Sequence, residues 1–171
     1  MIYEPAEDSY LLEEQVRKYV KKGMKVLDVG TGSGIQAEAA KEAKILALDI
    51  NQECVDFVRK KGINCVKSDL FEKINEKFDL IIFNPPYLPE DEEEPEDSKL
   101  LTTGGKKGNE ILIRFFSQVK KYLNKDGKIL IVFSSLTPDV DKIIRKYGFK
   151  YKKLSEQKIP FETLYVYLVE Q

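Results

Sequence analysis

The chain is predicted to be an α/β protein with a mostly parallel, seven-stranded sheet covered by helices on both faces. Three observations predict it. Short apolar runs alternate with helix-forming stretches from residue 25 onward, a glycine-rich turn joins the first such run to its helix, and only three residues separate the last two strand-like segments. Near-continuous apolar strands alternating with helices belong to parallel sheets buried on both sides. A connection of three residues cannot hold a crossover helix, so the final pair has to be an antiparallel hairpin. At 171 residues the chain has the length of one domain, 1–171.

Each element follows from local pattern. Leu12, Val16, Tyr19 and Val20 stand at helical spacing after Tyr3-Glu4-Pro5-Ala6, with Asp8 or Ser9 placed to cap that helix. Lys25 to Val29 reads as a strand, Gly30-Thr31-Gly32-Ser33-Gly34 as a turn, and 35–44, rich in alanine, as a helix. The alternation continues with a strand over 45–50, a helix over 53–61 ended by Gly62, and strands over 63–68 and 78–83. A helix over 110–123, stopped at Asn124-Lys125-Asp126-Gly127, leads to a strand over 128–133. A helix over 138–147 ends at Gly148, and strands over 151–158 and 162–169 flank Ile159-Pro160-Phe161. The stretch 90–107 reads as one long loop, and long loops in compact domains tend to be functional or mobile.

Composition removes whole classes of chemistry. Lys and Arg number 28 against 29 Asp and Glu, but seven of the acids fall between Glu90 and Asp97 with no base among them. The remainder has 28 basic and 22 acidic side chains, a mildly basic body that suits an RNA-associated or basic protein partner, although a solvated acidic loop explains the same run. Histidine is absent, which excludes Ser/His and Cys/His triads and removes the commonest zinc ligand. Cys54 and Cys65 form no metal-binding pattern and read as small core residues of a reducing compartment, so no metal is expected. The longest clean apolar stretches, such as 129–133, are far too short to span a membrane. The acidic Met-Ile-Tyr-Glu-Pro-Ala-Glu-Asp start has no apolar signal core, and the expected location is the cytoplasm.

In Asp28-x-Gly30-x-Gly32-x-Gly34, glycines between strand and helix let the backbone turn tightly and approach a ligand. Asp49, nineteen residues after Gly30, ends the next strand, where a carboxylate accepts hydrogen bonds from ribose hydroxyls. Ile35 stands where a dinucleotide fingerprint needs glycine or alanine, which disfavours NAD. Asp28 would repel a pyrophosphate and attract an ammonium group. S-adenosylmethionine offers an amine, a ribose and an adenine, so it is the expected ligand of Asp28, Gly30, Thr31, Gly32, Gly34, Asp49 and Ile50. Ser68-Asp69-Leu70 ends the third strand at the same edge, with Asp69 placed to accept from the adenine amino group and Leu70 to pack on the ring. A tight turn with no ligand is the plain alternative.

Asn84-Pro85-Pro86-Tyr87 directly follows the strand over 78–83 and is the most specific feature of the chain. Prolines remove N–H donors and stiffen the backbone, which leaves the carbonyls of Asn84 and Pro85 free as acceptors in fixed geometry. An amide side chain and a free carbonyl can hold a planar NH2 group from both sides while Tyr87 stacks on it. Such a site orients a poorly nucleophilic nitrogen for methyl transfer and needs no strong base. Gly104-Gly105-Lys106-Lys107-Gly108 has no Walker pattern and reads as a flexible closure of the substrate pocket or as a plain loop.

Together, Tyr3 to Ser9, Asp28 to Gly34, Asp49, Asp69 and Asn84 to Tyr87 resemble the class I, HemK-like methyltransferases that modify the glutamine of the Gly-Gly-Gln loop of translation release factors, in their short archaeal and eukaryotic branch. The resemblance covers roughly the first half of the chain. It implies a Rossmann-like fold in which Ser9, Asp28, Gly30, Asp49, Asp69, Leu70 and Asn84 contact S-adenosylmethionine, leaving S-adenosylhomocysteine as product. Asn84 with the Pro85 carbonyl would hold the glutamine amide. Members of that branch pair with a small zinc-binding activator protein, which places Ile63 to Lys67 as a sheet edge needing cover. Asn-Pro-Pro-Tyr also occurs in enzymes acting on adenine N6 and guanine N2. Methyl transfer to RNA, DNA or protein lysine, and a non-catalytic partner subunit, therefore stand as alternatives. Nucleic acid, through Arg17, Lys18, Lys21, Lys22 and Lys25, is the less favoured partner, because the chain has no separate recognition domain to grip a flipped base.

Overall fold

Val26, Leu27, Val29, Ile81, Ile82 and Ile129 to Val132 are all buried, although successive side chains along a strand point to opposite faces. Only strands covered on both sides bury every residue in this way. The computed structural model describes residues 1–171 apart from the side chain of Asp97, the last acid of the 90–97 run. Its elements are α1 (Glu7–Tyr19), β1 (Lys25–Val29), α2 (Ile35–Ala39), β2 (Lys44–Asp49), α3 (Gln52–Lys60), β3 (Cys65–Lys67), β4 (Phe78–Phe83), α4 (Glu96–Thr102), α5 (Glu110–Val119), β5 (Leu123–Ser134), α6 (Val140–Lys146), β6 (Lys150–Ile159) and β7 (Glu162–Glu170).

The seven strands form one sheet in the order β3-β2-β1-β4-β5-β7-β6. The first five run parallel, and β7 is antiparallel to both of its neighbours. Helix α1 packs on α2 and against β5, β6 and β7, α3 lies on β2 and β3, and α5 packs against α6. A cluster of Phe71, Phe83, Phe115, Phe116, Phe149 and Tyr122 fills the core, with ring centroids 4.5 to 5.8 Å apart. Cys54 and Cys65 are free and buried, and burial pushes their thiols up to about 11 and about 12. No helix among the described residues is long and apolar enough to cross a membrane.

The differences from the sequence reading have local causes. Helix α2 stops at Ala39 rather than 44, because the chain turns tightly through Ala40 and Ala43 to enter β2. Asn124 to Gly127 do not precede β5 but bulge from within it. Asp126 takes a φ of 63°, and the β4 register jumps between Phe78 and Leu80. The 90–107 stretch is not a single loop, since it contains α4, which Glu94 stitches by accepting from Ser98 and Thr102 hydroxyls. Asp8 and Ser9 do not cap α1. The helix starts one residue earlier, with Ala6 at the cap position and no side-chain bond there.

The two sheet edges differ. Strand β6 carries exposed Lys150, Lys152, Lys153 and Lys158, which discourage pairing with another chain. Strand β3, the predicted edge, is only three residues long and has no such charges before Lys67. Phe115, fully buried against Phe71, Phe83 and Phe116, ties α5 to the sheet. Phe115→Ala is expected to lower unfolding free energy by about 3–5 kcal/mol, read from urea denaturation.

Candidate active site

Neighbouring strands diverge from β1, toward β2 on one side and β4 on the other, and a crevice opens at the carboxyl ends of such strands. The turn after β1 lines it. Gly30, Gly32 and Gly34 have φ of 64°, 53° and 83°, a left-handed path that side-chain-bearing residues avoid. The Thr31 N–H donates to the Leu48 carbonyl (2.9 Å) and Gly34 N–H to the Thr31 carbonyl (2.8 Å), which fixes the turn on β2. Asp28, 1% exposed, accepts from the Thr31 hydroxyl at 2.6 Å. Burial, with the nearby Asp49 adding to it, pushes its carboxyl up to about 7, against the opposing Thr31 bond.

Asp49 accepts from the N–H groups of Gly32 and Asn51, both at 2.9 Å, and burial raises its carboxyl above the ordinary range. Ile50 follows it with its side chain exposed, an open apolar surface beside the crevice. Asp69 is held by Arg114 of α5 at 2.9 Å, a positioning contact the sequence did not reveal. Leu70 is buried at φ 47°, and its carbonyl accepts from the Ser68 hydroxyl. The structure thus brings Asp28, Asp49, Asp69 and Asn84 to the ends of four adjacent strands. Three carboxylates, an apolar surface and bare glycine backbone suit a cationic amine, a ribose and an adenine. They do not suit a phosphate.

The second half of the site is organised by Asp8. Its carboxylate is buried and accepts five hydrogen bonds. Oδ1 takes the Tyr3 hydroxyl (3.1 Å), the Ser9 N–H (2.7 Å) and the Ser9 hydroxyl (3.3 Å). Oδ2 takes Asn84 Nδ2 (3.2 Å) and the Tyr87 hydroxyl (3.1 Å). Burial first, and then Asp8, push both phenols up, so they stay protonated donors. A carboxylate facing Asn84 can only accept, so the amide nitrogen turns to it and Oδ1 is left facing away. No described residue bonds Asn84 Oδ1 or the Pro85 carbonyl. Ser9 is buried, turned toward Asp8, and its carbonyl accepts from Gln36. Tyr87 is 9% exposed, and its carbonyl accepts from Thr137 at 2.9 Å, so little of the ring is free to stack on a substrate. Asp8, Arg114 and Thr137 were missed by sequence reasoning. Only the presence of an acid beside a helix start hinted at the first.

The Gly104–Gly108 loop is not a free closure. A Cβ on Gly104 would stand 2.3 Å from the Gly108 carbonyl oxygen and 2.7 Å from that of Pro86, so the loop is packed directly behind the Asn-Pro-Pro-Tyr turn. Leu88 N–H donates to Thr102 and Gly104 N–H to Leu88, which locks the same backing in place.

Asp28 must be ionised to hold a cation, so affinity for S-adenosylmethionine should fall about tenfold from pH 8 to pH 6, as the pH drops through the raised value near 7, in calorimetric titrations. The sign for the free fold is opposite. A raised carboxyl stabilises while neutral, so its contribution is lost as pH rises toward 7. Asp28→Asn should therefore melt higher than wild type at pH 8 while binding no cofactor. Gly104→Ala should displace the Pro86 backbone and lower turnover at least tenfold, with cofactor affinity within about twofold, because the cofactor half is built on other strands.

Comparison with known proteins agrees with this geometry. The family model for the methyltransferase small domain matches residues 7–159. A Methanocaldococcus jannaschii protein, MJ0928, provisionally assigned as a protein N5-glutamine methyltransferase, is 42% identical over 96% of this chain and 89% of its own length. The release factor glutamine methyltransferase of Streptococcus pneumoniae is 33% identical over 73% of this chain, a match that spans 51% of that longer protein. Among solved structures, Mtq2 in the E. cuniculi Mtq2–Trm112 complex, responsible for methylating the termination factor eRF1, superposes with a TM-score of 0.81 at 28% identity, covering 99% of this chain and 98% of that one. Sequence and fold therefore converge on one assignment, and the chain belongs to the HemK-like family of release factor glutamine methyltransferases, enzymes that depend on S-adenosylmethionine.

Proposed function

We propose that this chain methylates the side-chain nitrogen of the glutamine in the Gly-Gly-Gln loop of a class 1 translation release factor. Asn84 carries the reading. With its Nδ2 committed to Asp8, its Oδ1 and the Pro85 carbonyl form a pair of adjacent, unused acceptors at the end of β4. A primary amide offers two N–H donors on one nitrogen and matches that pair.

Bound in the crevice, S-adenosylmethionine would supply an electrophilic methyl on sulfur. Asp28 would hold its ammonium, Asp49 its ribose hydroxyls, and Asp69 with Leu70 and Ile50 its adenine, over the backbone of Gly30 to Gly34. Ser9 reaches this crevice only through the Asp8 corner. Asn84 Oδ1 and the Pro85 carbonyl draw on the two amide N–H bonds, raise electron density on nitrogen and fix its direction of attack. They also stabilise the positive charge that grows there. The nitrogen acidifies as it is alkylated, so water can take the proton.

Charge favours a protein substrate. Asp91, Glu92 and Glu93 are exposed on the segment tied to Leu88, with Glu90 and Glu96 flanking Lys99, and this net-acidic stretch next to the acceptor turn would repel phosphates. Of the cations that could grip RNA, Arg17, Lys18 and Lys25 are paired with Glu13, Glu14 and Glu76. The Mtq2–Trm112 complex supports a second protein partner here too, for which the resemblance suggests a small zinc-binding activator, and the short β3 edge, with Lys67 as its one charge, is the place we assign to it. A cytoplasmic location follows from such a substrate.

The direct test incubates the chain, alone and with a small zinc-binding partner, with labelled S-adenosylmethionine and an intact release factor, and locates the label by mass spectrometry. Label on the loop glutamine is expected, and label on lysine or on RNA counter-substrates would overturn the reading. Asn84→Ala should lower turnover by roughly 100-fold while leaving cofactor affinity within a few-fold, on the scale of other lost transition-state contacts. Steady-state kinetics beside calorimetry checks it.

A further inference from the structure

Phe161 combines two features that a folded protein rarely keeps on one residue. Its side chain is 99% exposed, and its φ of 68° lies in the left-handed region that bulky residues avoid. The two-residue turn between β6 and β7 calls for glycine, asparagine or aspartate there, and an aromatic ring contributes nothing to the turn. Strain held at an exposed aromatic residue points to use.

The position says what the use is. Strand β7 runs antiparallel to β5, with Ser134 opposite Leu164, so the turn lies at the carboxyl ends of the parallel strands. Ser134 donates its hydroxyl to Glu162, the residue after Phe161, and its N–H to the Thr137 hydroxyl at 3.3 Å. Thr137 in turn donates to the Tyr87 carbonyl. Phe161 is therefore joined to the Asn-Pro-Pro-Tyr turn through a short chain of hydrogen bonds. Leu136, 47% exposed, stands on the loop bonded to the same hairpin through Ser135 and Thr163. The α4 segment presents exposed Leu100 beside the acids of 90–96, and Asn109, just beyond it, donates to the Pro138 carbonyl of the loop that carries Leu136.

We propose that Phe161, supported by Leu136, is the docking anchor for the protein that delivers the acceptor glutamine. The partner has an apolar pocket for the ring and basic side chains facing residues 90–96. The anchor deepens the proposed function and rests on its protein substrate. A ring that reaches beyond the fold fills a partner's pocket, and the acids of 90–96, on the segment tied to Leu88, set the partner's orientation by charge. Phosphate-bearing partners are disfavoured by the same acids.

The test is Phe161→Asn, because asparagine tolerates the left-handed turn and the variant should melt at or above wild type. With an intact release factor immobilised for surface plasmon resonance, the variant should bind about tenfold more weakly. Its KM for that protein should rise to match, while kcat, cofactor affinity and transfer to a short Gly-Gly-Gln peptide stay unchanged. Equal affinity for the release factor, or an equal loss on the peptide, would overturn the anchor, as would failure of the wild type to bind the release factor. A wild type that binds the release factor but leaves its glutamine unmethylated removes the proposed reaction instead, and the affinity difference still decides the role of Phe161.

Discussion

Everything at the acceptor side of the site depends on one buried carboxylate with no cation against it. Asp8 is taken out of water and compensated by five hydrogen bonds from Tyr3, Ser9, Asn84 and Tyr87. A buried acid is tolerable only when its lone pairs are satisfied in this way. Satisfying them joins the N-terminal segment, the start of α1 and the turn after β4 into one unit. Because the carboxylate only accepts, it dictates the orientation of the Asn84 amide and hence which atom faces the substrate. The prolines then hold the neighbouring carbonyl rigid, and Gly104 permits a backbone to lie directly behind them.

The cofactor side is built on a different balance. Asp28 and Asp49 are buried near one another, and burial raises both carboxyls. The fold thus stores unfavourable electrostatics that a cation bound there would relieve, a common compromise between stability and binding. The same logic explains a protein without histidine. In the proposed reaction an amide oriented by hydrogen-bond acceptors, beside a pocket of carboxylates, needs no imidazole base.

The rim is asymmetric. Acids line the 90–96 side, apolar residues stand on the β6–β7 turn and the loop after β5, and the lysine-rich edge strand β6 is separated from the short β3 by the full width of the sheet. Surfaces of different chemistry are thereby kept apart on one small domain. A substrate bound as proposed, at the carboxyl ends of the strands, would not compete with a partner at the β3 edge.

The strands, the glycine turn, the terminal hairpin and the Asn-Pro-Pro-Tyr motif were legible in the residues, because hydrophobic periodicity and turn chemistry are local. Asp28 and Asn84 were singled out from residue type and spacing as well, and the fold sets them on the neighbouring strands β1 and β4. Local pattern misplaced the end of α2 and the start of β5, where tight turns and a bulge are set by the neighbouring strand, and it missed α4, whose seven residues are secured by the side chain of Glu94. Asp8 looked like a helix cap, yet the residues that compensate it lie up to 79 positions away. Arg114 on Asp69 and Thr137 on Tyr87 are likewise long-range contacts, 45 and 50 positions apart. The sequence by itself determined the fold class and the chemistry on offer. Which acid orients the acceptor amide, and which exposed ring flanks it, was decided by tertiary structure alone, because burial and hydrogen-bond partnership depend on what the folded chain brings together.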